Sequence, residues 1–152
     1  MVLMVEVEFP ECTTFGSVIR FALELERAAI GIYDELAGNA SLAPAADSFK
    51  ALSAAHKKRS DVLEHTRREK LNEMILEPIQ DLDRNKYLIE TEVPDGVDMA
   101  GAKTFLAKME GTSSSFYLDS SKVAKSLLAE AARILERLGK ENQANMAKVE
   151  AL

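Results

Sequence analysis

The chain has one cysteine, four prolines, seven glycines and no tryptophan in 152 residues. A lone Cys12 rules out an internal disulfide, and a reducing cytoplasm is the expected compartment. It also excludes any four-cysteine iron or zinc site. No uncharged apolar stretch is long enough to span a bilayer. Positive charge is in deficit: the net charge is -6 and the pI about 5.0. That argues against nucleic acid and against an anionic membrane surface as partners. Met1 to Phe9 lacks a basic start and carries Glu6 and Glu8 early, unlike a signal peptide. Low-complexity segments are also missing.

What is present is an ordinary globular composition, 47% hydrophobic and 29% charged, on a length that suits one domain over 1–152. A core of useful size needs no disulfide or structural metal at this length. Val5 to Phe9 alternates like a short strand, and Pro10 ends it. With no second strand to pair with, residues 1–13 read as an N-terminal arm, with a second subunit as one possible packing surface. Thr14 to Ala37 shows helical spacing without a break, and Gly38-Asn39 stops it. Pro44 suits the first turn of a second helix reaching about Ile75. Residues 77–97 form a connection too long for adjacent antiparallel helices and suggest a crossover between the ends of a bundle. Asp98 can cap a third helix from Met99. Asp and Ser cluster between Asp119 and Ser126, where a turn into the last helix is expected.

Each helix has a seam of residues three and four apart that would face inward. The seams are Ala22, Glu26, Ala29, Tyr33, Leu36; Phe49, Leu52, His56, Arg59, Leu63; Leu106, Glu110, Ser113, Tyr117; and Leu135, Leu138, Asn142, Asn145, Val149, Leu152. Every seam is polar at mid-length. Helices one and three repeat Glu, then Tyr seven residues later. Helices two and four each carry two polar residues three apart. Buried charges are paired or bind metal, because an unpaired one costs several kcal/mol. A polar layer across four helices is therefore a candidate site.

The stretch from Ala22 to Ala37, with Glu26, Tyr33 and Leu36-Ala37, resembles the first helix of rubrerythrin-like di-iron proteins of the ferritin-like superfamily. Met109-Glu110 through Phe116-Tyr117 resembles their third helix, and the segments around His56 and Asn142 fit the frames of the second and fourth. The resemblance implies an all-α, ferritin-like four-helix bundle of two antiparallel pairs joined by the 77–97 crossover. It also implies a homodimer. The family's di-iron site takes one Glu from each of two helices and Glu-x-x-His from the other two. Glu26 and Glu110 match the single glutamates. The other two motifs have become His56-x-x-Arg59 and Asn142-x-x-Asn145.

Two carboxylates cannot balance two irons, and Arg59 is a permanent cation that repels metal. The preferred expectation is therefore no cofactor. Arg59 would bridge Glu26 and Glu110, with Asn142 and Asn145 filling the remaining hydrogen bonds and Tyr33 and Tyr117 donating within the layer. The protein would then act by binding or assembly. One alternative keeps Glu26, His56 and Glu110 as ligands to a single Fe, Mn or Zn ion in a peroxide- or oxygen-reductase. Another makes Arg59, His56 and the asparagines the lining of a pocket for a small anion or organic ligand. His65 reads as a surface partner of Asp61, and Cys12 as a structural thiol.

Overall fold

The computed structural model describes residues 8–70 and 78–152, and four helices account for most of them. These are α1 (Phe15–Ala37), α2 (Ala46–Lys70), α3 (Met99–Ala124) and α4 (Ala129–Glu150). Helix α1 starts on a capping box: Thr14 Oγ1 accepts from the Ser17 amide at 3.1 Å, and Ser17 Oγ accepts from the Thr14 amide at 2.9 Å. It ends at Gly38, as the sequence suggests. Asp98 caps α3, its Oδ1 accepting from the Gly101 amide at 2.8 Å.

Two boundaries are displaced from expectation. Pro44 lies in a 3-10 turn, Ala40–Ala45, and α2 begins after it. The α3–α4 turn occupies residues 125–128, because Ser120 and Ser121 are buried helical residues. Ser121 Oγ donates to the Ala132 carbonyl of α4 at 2.7 Å, so it joins the two helices instead of breaking one. The strand expected at residues 5–9 and the last turn of α2 toward Ile75 fall largely outside the described residues. Phe9 is described, and it packs on its own chain, 4.9 Å from the Phe21 ring. Beyond it, the Ile79 amide donates to the Thr13 carbonyl at 3.0 Å, tying the start of α1 to the long connection.

Packing is pairwise first: α1 lies chiefly along α2, and α3 along α4. The α3–α4 contact is close because its residues are small. Ser114 Oγ donates to the Gly139 carbonyl at 2.9 Å, and a Cβ on Gly139 would stand 2.9 Å from Leu118. Every seam residue is buried except Leu152, which is half-buried. Among the described residues, the buried apolar side chains form two clusters. One contains Ala22, Leu25, Leu63, Phe116, Tyr117, Leu135 and Leu138. The other contains Ala29, Tyr33, Phe49, Leu52, Leu106 and Val149. The long connection contributes Ile79 and Tyr87 to the first and Val97 to the second. No helix among the described residues is long and apolar enough to cross a membrane.

Candidate functional site

On every helix the boundary between the two clusters falls at the polar positions. Glu26, His56, Arg59, Glu110, Asn142 and Asn145 are each at most 4% exposed, and they meet in one layer. Helical spacing accounts for this, since residues three, four and seven apart share a face.

The two Glu-Tyr pairs are exchanged across the layer. Tyr33 of α1 donates to Glu110 Oε2 of α3 at 2.7 Å. Tyr117 of α3 donates to Glu26 Oε2 of α1 at 2.5 Å. Arg59 forks onto Glu26, with Nε 2.8 Å from Oε1 and Nη2 3.1 Å from Oε2. Its remaining donors reach the Asn142 Oδ1 and the Leu138 carbonyl, both at 2.8 Å. Asn142 Nδ2 donates to Glu110 Oε1 at 2.7 Å, and Asn145 Nδ2 approaches the same oxygen at 3.4 Å.

The expected Arg59 bridge between the glutamates is not the one that forms. Of these two glutamates, Arg59 contacts Glu26 alone. The bridge is His56, with Nδ1 2.6 Å from Glu26 Oε1 and Nε2 2.9 Å from Glu110 Oε2. Its ring lies one helical turn before Arg59, level with both carboxylates, whereas the guanidinium is committed toward α4. Both ring nitrogens face carboxylates, so both donate, and the ring is an imidazolium. Each cation also has an aromatic neighbour. Tyr33 stacks on His56 at 5.5 Å, and the Arg59 guanidinium carbon lies 5.2 Å from the centre of the Tyr117 ring.

Seven hydrogen bonds of 3.1 Å or less thus fall on the four carboxylate oxygens of Glu26 and Glu110, and Asn145 approaches the eighth lone-pair position at 3.4 Å. The two carboxylates and two cations balance in charge. Protonation follows from this geometry. Burial alone would raise the Glu26 pKa, but His56 and Arg59 prevail and lower it to about 2. Burial alone would lower the His56 pKa, but the two carboxylates raise it to about 9. Glu110 is likewise lowered against burial by His56, Tyr33 and Asn142. Burial and the adjacent carboxylates push both tyrosines up. These shifts keep Glu26 and Glu110 ionised and His56 charged at neutral pH.

All eight residues anticipated for the layer lie in it. Two further partners of Arg59 were not anticipated. The Leu138 carbonyl leaves no signal in a sequence. Glu141 projects off the α4 seam, yet its half-exposed carboxylate comes within 3.4 Å of Arg59 Nη1. His65 is exposed, and Cys12 is buried, its thiol raised to about 11 chiefly by burial. Among the described residues, no group of three or more His, Cys, Asp or Glu side chains is arranged to hold a metal ion. Comparison of the chain with family patterns, with curated proteins and with solved structures gives no match.

Proposed function

We propose that the chain is a ferritin-like, rubrerythrin-like bundle protein in which a self-balanced ion-pair layer stands in place of a di-iron centre, and that it acts by binding or assembly without redox catalysis. The division of the core supports the topology. Helices α1 and α4 run from the cluster holding Leu25 and Leu135 toward the one holding Leu36 and Val149, and α2 and α3 run the opposite way. Each pair is then antiparallel. The connection before α3 passes from Ile79 and Tyr87 in one cluster to Val97 in the other, as a crossover must.

The observation that carries the functional reading is the near-saturation of both carboxylates. A metal needs free lone pairs on deprotonated ligands. Here seven of the eight carboxylate lone-pair positions hold a hydrogen bond of 3.1 Å or less, His56 holds its proton, and Arg59 keeps a fixed positive charge at the same spot. These donors do not fit Fe, Mn or Zn. The test is metal content by plasma mass spectrometry on protein loaded anaerobically with Fe(II), Mn(II) or Zn(II) and then desalted. The expected content is below about a tenth of an equivalent per chain. One equivalent, lost in Glu26→Ala and Glu110→Ala variants, would overturn the proposal and make a mononuclear metalloprotein the better reading.

A further inference from the structure

Helices α2 and α4 touch each other much less than either touches its own partner. Between them lies a cleft of about 240 Å³ whose lining includes Arg59 and Asn145 of the buried layer. Its walls are largely apolar, with Val62, Leu138 and Ala144 among them. Lys58, Arg137 and Lys148 also line it, and all three are exposed. Among the described residues none of these three has a carboxylate within 4.0 Å. Three exposed cations thus line a cleft that holds one acid, Glu141, on a chain whose net charge is -6, while the charge of Arg59 behind them is already balanced by Glu26. A concentration of one sign against the sign of the whole molecule focuses the field on oppositely charged ligands.

Glu141 indicates which anion fits. Its carboxylate faces Arg59 Nη1 at 3.4 Å, well beyond the 2.7–2.9 Å typical of a charge-assisted hydrogen bond. It is 48% exposed, so it can swing into solvent at little cost. A free carboxylate able to approach more closely would take its place. The apolar walls suit a hydrocarbon tail.

We propose that the α2–α4 cleft binds a small amphiphilic monocarboxylate, with the head group among Lys58, Lys148 and Arg59, the tail along Val62 and Leu138, and Glu141 displaced. This rests on the reading of the chain as a binding protein and gives it a ligand class. It does not depend on the metal content of the layer.

The test is calorimetric titration of the full chain with octanoate, acetate and 1-octanol. Octanoate is expected to saturate at one per chain. Acetate, without a tail, and octanol, without a charge, should each bind at least about tenfold more weakly. The exposed-site double variant Lys58→Ala/Lys148→Ala should keep its thermal midpoint and lose about tenfold in octanoate affinity. Glu141→Gln should gain severalfold, an effect that adsorption to a greasy surface would not produce. Absence of saturation by octanoate, equal binding of octanol, or indifference to both variants would overturn the cleft site and leave the metal-free layer standing. Metal uptake in the loading experiment would overturn the layer reading without touching the titration.

Discussion

Replacing Arg59 with methionine keeps most of the side-chain volume and removes the charge. In the folded chain Arg59 donates twice to Glu26 and once each to Asn142 and Leu138, all within 3.1 Å. The variant therefore strands half of the hydrogen bonds to a carboxylate that is 1% exposed. Breaking a buried pair from one side costs about 3–5 kcal/mol, because the surviving charge is left without compensation. Against a typical total of about 5–15 kcal/mol, that removes a fifth of the stability at the least. At this length each kcal/mol moves the thermal midpoint by about 2–4 °C, so Arg59→Met should melt about 6–20 °C lower. Urea unfolding followed by circular dichroism should give the same loss with an unchanged slope. Adding Glu26→Gln removes the stranded charge, so the double variant should be less destabilised than the sum of the singles, with a coupling of about 1–3 kcal/mol. A single-variant cost under about 1 kcal/mol, or an additive cycle, would refute the account of the layer.

Two other outcomes follow from the same geometry. His56 is raised from 6.5 to about 9, so its contribution is complete below pH 6.5 and is lost as pH rises through 9. Glu26 is lowered from 4.5 to about 2, so its contribution is complete above pH 4.5 and is lost as pH falls through 2. Melting temperature should accordingly decline on both sides of the 4.5–6.5 window, and an alkaline decline that persists in His56→Gln would contradict the assignment. The glycines separate packing from propensity. A Cβ on Gly31 would meet nothing within 4 Å, so Gly31→Ala should stabilise by about 1 kcal/mol. A Cβ on Gly139 would press on Leu118 at 2.9 Å and on the Ser114 carbonyl at 3.3 Å, so Gly139→Ala should destabilise by about 1 kcal/mol despite its better helix propensity. Urea midpoints moving in the same direction for both would refute this.

The seams were legible because burial follows helical period: Glu26 and Tyr33, or Asn142 and Asn145, can share a face only one way. The cap at Asp98 and the stop at Gly38 were legible because their chemistry is local. The α3–α4 turn was legible only coarsely, since it begins at the far edge of the Asp119–Ser126 stretch. Serine near a helix end signals a turn by composition, but Ser114 and Ser121 instead spend their hydroxyls on α4 carbonyls, and only the neighbouring helix reveals that. Which cation bridges the glutamates was equally hidden. His56 and Arg59 lie on the same face, and choosing between them depends on side-chain reach and on Leu138 and Asn142 holding the guanidinium on the α4 side.

The exchanged tyrosines also bear on how the chain folds. Tyr33 meets Glu110 across 77 positions of sequence, and Tyr117 meets Glu26 across 91, whereas α1 with α2, and α3 with α4, are neighbours along the chain. Loop-closure entropy favours the neighbouring pairs, so the contacts that run between the pairs are expected to close last, when one preassembled half docks on the other. Interactions absent from the folding transition state act mainly on the rate of escape from the native state. Those contacts are in that sense a latch: weakening them is expected to shorten the lifetime of the folded protein far more than it slows its formation.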